Sequence, residues 1–208
     1  MFAYYSSTEV HLTKMKKTLA FAGPSAVGKT YIASLLLSKY PELFEQAKLY
    51  TTRTPRPGET GADRIFIPEE TFSEMVKAGK FVVHGMFGGN NYGFTPESLH
   101  PKNKHLLVNI WPWLIPQVSK LDHAVIIGMQ APTDWKSLLV QRMRARGDSE
   151  ETIAKRLTLI AKDIKDLSAH KAIAEAHGKY FVIHDDTIIE AEIIPWIEAL
   201  LQAEGGVA

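Results

Sequence analysis

The chain has 208 residues, 45% of them hydrophobic and 23% charged, which is the usage of one globular domain with its own core and excludes fibrous or disordered architectures. Lys and Arg number 24 against 23 Asp and Glu, so there is no global basic excess for non-specific nucleic-acid binding, and any cationic site must be local. Cysteine is absent, which excludes disulfides, thiolate metal sites and cysteine nucleophiles, and no apolar run approaches the roughly 20 residues of a membrane span.

Residues 1–16 mix aromatic and polar side chains with no period and read as an N-terminal tail, leaving 17–208 as one domain. Thr-Leu-Ala-Phe-Ala at 18–22 is a short apolar run ended by Gly23-Pro24, the pattern of a buried strand entering a turn. Residues 29–40 then have helical spacing, with Ile32, Leu35 and Leu36 on one face and Pro41 as the stop. From 50 to 100 glycine and proline are frequent and the apolar runs short. There, 68–78 reads as a helix with Phe72, Met75 and Val76 on one side and Gly79 ending it, followed by a strand at 81–84. Apolar runs at 105–110, 124–128 and 180–183 alternate with helical stretches around 135–146, 150–176 and 188–201. Strands alternating with helices predict a parallel sheet covered on both faces.

Gly23-Pro24-Ser25-Ala26-Val27-Gly28-Lys29-Thr30 has two glycines separated by four residues, then Lys and a hydroxyl residue, between a predicted strand and a predicted helix. Glycines let the backbone wrap closely, so that its N–H groups and the helix N-terminus converge on anionic oxygens. Lys29 then reaches the β and γ phosphates of a nucleoside triphosphate and the Thr30 hydroxyl ligates its magnesium. No His-Glu-x-x-His or similar protein-built metal site is visible, so magnesium is expected to arrive with the nucleotide.

Arg142 and Arg146 lie four apart and project from one helical face, Gly147 ends that helix, and Asp148 with Glu151 reads as a capping box opening the next. Ile153, Leu157, Ile160 and Ile164 mark the packed face of this second helix, and Thr187 with Glu190 reads as the cap of the last one. Arg53 and Arg56 stand three apart in the proline-stiffened segment Thr-Thr-Arg-Thr-Pro-Arg-Pro-Gly-Glu, where guanidinium forks suit phosphate oxygens, although from these residues alone a solvated basic loop is the favoured reading.

The phosphate-loop octapeptide, the Thr-Thr-Arg-Thr-Pro-Arg-Pro-Gly-Glu-Thr-Gly-Ala-Asp block at 51–63 and Asn91-Tyr92-Gly93 together resemble the guanylate kinase family in order and spacing, over roughly 19–186. The resemblance implies a P-loop NTPase α/β fold: a three-layer core with a parallel sheet (17–50, 100–140 and 166–208), a small acceptor-binding insertion (51–99) and a helical lid (141–165). It implies transfer of phosphate from ATP, with Mg2+, to GMP. By position it assigns the acceptor phosphate to Arg53, Arg56 and Tyr92, and adds Arg156 to Arg142 and Arg146 as lid cations. Arg64 stands where the family usually has a phosphate-binding tyrosine, which puts one more cation toward the acceptor.

Other departures concern the acceptor base. The family's guanine readers, a Glu in the Phe-Leu-Glu-Trp strand and a Ser or Thr after Tyr-Gly, are replaced by Val83 and Phe94, and its Asp-x-Asp by Asn109 and Trp111. The substitutions predict an apolar base pocket with relaxed preference for GMP. His84, beside the altered position, reads as a packed or surface residue that could also donate to a substrate. Two further readings stay open: a kinase of another nucleoside monophosphate or a phosphosugar, and a non-catalytic module binding phosphorylated protein segments. A cytoplasmic monomer or homodimer with a small phosphorylated acceptor, and neither nucleic acid nor membrane as partner, is the expectation.

Overall fold

The computed structural model describes residues 15–203 except 56–58, 60, 62, 146 and 186, so most of the tail at 1–16 lies outside the described residues. In chain order the elements are β1 (Thr18–Ala22), α1 (Lys29–Lys39), β2 (Phe44–Gln46), β3 (Leu49–Thr51), β4 (Arg64–Phe66), α2 (Glu69–Lys77), β5 (Val83–Phe87) and β6 (Asn90–Phe94). They continue with α3 (Pro96–Leu99), β7 (His105–Ile110), α4 (Ile115–Val118), β8 (Ala124–Gln130), α5 (Trp135–Ala145), α6 (Glu150–Ala169), α7 (Lys171–Ala176), β9 (Gly178–Val182) and α8 (Ile194–Ala203).

Five strands form a sheet in the order β2-β7-β1-β8-β9, parallel at every pairing. Every side chain of central β1 is buried, and alternation sends them to opposite layers. Leu19 and Phe21 join Ile32 and Leu36 of α1 and Ile197 and Leu201 of α8 on one face. Ala20 and Ala22 join Leu114, Val118, Leu167 and Ala174 on the other. The expected three-layer α/β core is therefore present. A second sheet, β4-β3-β6-β5, is built from residues 49–94 and is antiparallel except at β3–β4.

Several boundaries differ from the sequence reading, each for a local reason. The strand expected at 81–84 forms instead at Val83–Phe87, opposite β6, while Phe81 stacks on Phe72 of α2 at 4.5 Å between centroids. The helical stretch 150–176 breaks at His170, which ends α6 and opens α7. In the last helix Pro195 lacks the N–H that would bond one turn back, and a π turn at Ile189–Ile193 precedes α8. The N-cap of α6 is Ser149, whose side chain accepts from Thr152 N at 3.2 Å, and not Asp148, whose carboxylate faces Arg156 at 3.3 Å. Likewise Thr187 donates its backbone N–H to the Asp185 carboxylate at 2.8 Å, so Asp185 supplies the acceptor at that helix start.

Candidate functional site

The phosphate loop leaves the C-terminal end of β1 and enters α1 at Lys29. Its path needs left-handed backbone at Ala26 (φ 64°) and Gly28 (φ 115°), and Gly28 is the position at which a side chain would be strained. Gly23 is required for a different reason: a Cβ there would stand 2.5 Å from the Met129 carbonyl oxygen of β8. Val27 is 1% exposed and anchors the loop in the core. Lys29 Nζ donates to the Gly23 and Pro24 carbonyls at 2.6 and 2.8 Å, so the ammonium is folded over the loop it serves.

A cleft of about 400 Å³ opens at the C-terminal ends of β1 and β7, where ligands bind in open parallel sheets. Ser25, Ala26, Gly28, Lys29 and Thr30 line it from the phosphate loop, Arg142 from α5, Arg64 and Leu49 from the small sheet, and Asn109, Ile110 and Trp111 from the end of β7. Lys29, Arg64 and Arg142 bring three cations to it, and among the described residues no carboxylate lines it. This surface fits an anionic polyphosphate with its counter-ion: backbone donors and cations surround the space, and Thr30 offers a hydroxyl at the helix start. Arg142 Nη1 also donates to the Ala26 and Val27 carbonyls at 3.2 and 3.4 Å, which ties the helix before Gly147 to the phosphate loop.

The remaining expected residues are placed less uniformly. Arg56 and Arg146 lie outside the described residues. Arg53 is not among the residues lining the cleft, its Nη2 donating to both oxygens of Glu59 at 2.8 Å and its guanidinium lying 5.5 Å from the Phe66 ring centroid. Arg64 pairs with Asp63 at 3.0 Å and with the same Glu59 at 3.5 Å. Arg156 is paired with Asp148 at 3.3 Å and is not among the residues lining the cleft. Tyr92 is 7% exposed and packs its ring 4.4 Å from that of Trp111.

Val83 and Phe94 do not face the cleft, which corrects the expectation of an apolar base pocket built from them. They are directly opposed in the β5–β6 ladder, 0% and 1% exposed, and belong to the core between the sheets. The register of the hairpin turns both inward together. His84 is held through its backbone, its N–H donating to Gln117 Oε1 at 3.0 Å and its carbonyl accepting from Gln117 Nε2 at 3.2 Å.

Two features escaped the motif reading. Trp111 reaches the cleft from the end of β7, as Tyr31 does from α1, and stands at the end of a row of rings that includes Phe87 at 5.1 Å and Trp113 at 6.2 Å. Asp163 of α6 is 1% exposed with neither carboxylate oxygen hydrogen-bonded. Burial pushes its pKa up to about 7, against the pull of the Lys29 ammonium. The signal for it was present, since 163 falls on the buried face of α6 with Ile153, Ile160 and Leu167.

Residues 15–184 match the family model described as guanylate kinase. The guanylate kinase of Frankia casuarinae is 35% identical over 175 residues, covering 79% of this chain and 87% of the relative. That of Lactobacillus johnsonii is 31% identical over 180 residues, covering 84% and 88%. That of Sus scrofa is 30% identical over 155 residues, covering 72% and 77%. The crystal structure of guanylate kinase from Anaplasma phagocytophilum, at 23% identity, superposes with a TM-score of 0.59 over 92% of this chain and 87% of that one, a likeness of fold.

Proposed function

The chain belongs to the guanylate kinase family, and from that premise we propose that it transfers the γ-phosphoryl group of ATP to a nucleoside monophosphate, converting GMP and ATP to GDP and ADP. The observation that carries the reading is the cleft itself, where Lys29 from the phosphate loop and Arg142 from α5 meet Arg64 from the small sheet, with no acid among the described residues that line it. Two phosphate-bearing substrates have to be brought end to end for direct transfer, and cations on both sides of one space suit that geometry.

In this reading residues 23–30 cradle the β and γ phosphates, and Lys29 exchanges the Gly23 and Pro24 carbonyls for phosphate oxygens. Thr30 holds magnesium, which when bound supplies charge neutralisation at the transferring group. Arg142, with Arg146 and Arg156 from a lid spanning 141–165, draws over the γ phosphate, where cations stabilise charge spread across its oxygens and help exclude water. Arg53, Arg56, Arg64 and Tyr92 of the 51–99 segment position the acceptor phosphate. Glu59 is then an orienting group, since it fixes Arg53 and reaches Arg64.

The test is ADP release measured with magnesium and ATP, with and without GMP. Acceptor-dependent ADP that is lost in Lys29→Ala is the expected result. Absence of acceptor-dependent ADP with every nucleoside monophosphate would refute the reading.

A further inference from the structure

Among the described residues, the acceptor half of the cleft offers a base few side-chain groups to hydrogen-bond. Its lining there consists of Leu49, Arg64, Asn109, Ile110 and Trp111. Leu49 and Ile110 are 8% and 1% exposed, so the apolar surface that remains for contact is essentially the half-buried indole. Among the described residues on this side, the Asn109 amide and the Arg64 fork are the polar side chains that line it, and the Asn109 amide oxygen is buried without a partner. Trp111, by contrast, is a built platform. Tyr92 and Phe87 of the β5–β6 hairpin pack on it at 4.4 and 5.1 Å, and Trp113 lies nearly parallel to it at an interplanar angle of 20°. A Cβ at Gly85 would stand 2.2 Å from the Trp113 ring, so the hairpin backbone presses directly on this row of rings. An indole braced in this way presents a rigid π surface beside cations that anchor a phosphate.

We propose that Trp111 determines acceptor selectivity: it holds the acceptor base by stacking, so that the site takes nucleoside monophosphates as a class and not one base alone. The proposal rests on the phosphoryl-transfer reading above and deepens it. Every base has a π face, so a stacking platform tolerates base identity, whereas a site built to hydrogen-bond one base rejects others by factors of ten thousand or so. With the phosphate fixed by cations next to the phosphate loop, the base must extend away from Lys29, toward the side on which the β5–β6 hairpin braces Trp111.

The experiment is a panel of GMP, AMP, CMP, UMP and ribose 5-phosphate as acceptors, with kcat and KM measured for wild type, Trp111→Phe and Trp111→Leu, and with KM for ATP measured alongside. The expected wild-type kcat/KM values for the nucleotides fall within about tenfold of one another, and ribose 5-phosphate, which lacks a base, is poorer by about tenfold or more. Trp111→Phe, which keeps a ring, stays within a few-fold of wild type. Trp111→Leu raises KM for all nucleotide acceptors by about tenfold and leaves KM for ATP unchanged. The wild-type panel needs no variant to fold. A preference of roughly a thousandfold for one base would overturn the proposal while leaving the phosphoryl-transfer reading standing. So would ribose 5-phosphate matching the nucleotides, or a Trp111→Leu enzyme whose acceptor KM is unmoved. If no acceptor in the panel supports ADP release, the phosphoryl-transfer reading fails first.

Discussion

Replacing Asp163 with asparagine removes one proton-binding site from the interior at nearly constant volume. The carboxyl is 1% exposed and neither oxygen has a hydrogen-bond partner. Its pKa stands at about 7 against an ordinary 3.8: burial raises it, the Lys29 ammonium from the phosphate loop pulls it down, Asp166 raises it and Lys162 pulls it down. Because the folded value is the higher one, the folded chain keeps a proton that the unfolded chain has released. The contribution to stability is therefore fully present below pH 3.8 and is lost as pH rises through about 7. A displacement of about three units corresponds to about 4 kcal/mol, at about 1.4 kcal/mol per unit. Urea denaturation of both proteins between about pH 5 and pH 6.5 should show wild type losing roughly 2 kcal/mol relative to Asp163→Asn. The buried amide adds an offset that does not change with pH, and groups common to both proteins cancel in the difference. Parallel stability curves across that window would refute the reasoning.

Lys29→Ala is expected to abolish acceptor-dependent ADP release with the thermal midpoint close to wild type, because the ammonium donates to the loop carbonyls of Gly23 and Pro24 and its removal opens no cavity in the apolar core; turnover within a few-fold of wild type would disprove the phosphate-loop assignment. Arg142→Ala should lower kcat more than it raises KM for ATP, since a lid cation gains most from charge developing in the transition state; an effect on ATP KM alone would count against that role. Val83→Glu should destabilise the fold by on the order of 3 kcal/mol or more instead of improving GMP use, because position 83 is 0% exposed and faces Phe94 in the core. A well-folded Val83→Glu protein with a raised kcat/KM for GMP would show that this position does reach the acceptor.

The phosphate loop was legible because its chemistry is contiguous. Gly23 cannot carry a Cβ against Met129, Gly28 needs φ 115°, and Lys29 and Thr30 follow at fixed offsets, so eight adjacent residues encode the cradle. The parallel sheet was legible for a related reason, since β1, β7 and β8 are continuous apolar runs buried on both faces. The acceptor side was not, because it depends on which face of a short hairpin turns inward. Alternation shows that Val83 and Phe94 share a face with each other, but five-residue strands of mixed character do not show which face the core takes. Trp111 read as the absence of a carboxylate. Its role as a platform comes from Phe87, Tyr92 and Trp113, residues from two segments that only the tertiary fold brings together. Asp148 and Ser149 compete for one helix start, and the ion pair with Arg156 takes the carboxylate out of the contest.

The arrangement of charge explains how a chain of net charge +1 presents a cationic cleft. Three cations line the space, and the acids that act on cations of this region lie outside its lining. Glu59 holds Arg53 and reaches Arg64, Asp148 pairs with Arg156, and Asp163 acts on Lys29 from within the core. A carboxylate paired with a guanidinium fixes its direction while leaving the other N–H donors of the fork for a phosphate. Asp163 differs from the other two in having no hydrogen bond, and burial raises its pKa to about 7. Phosphates drawn to Lys29 bring negative charge toward Asp163 and occupy the cation that most lowers its pKa, so they favour its protonated form.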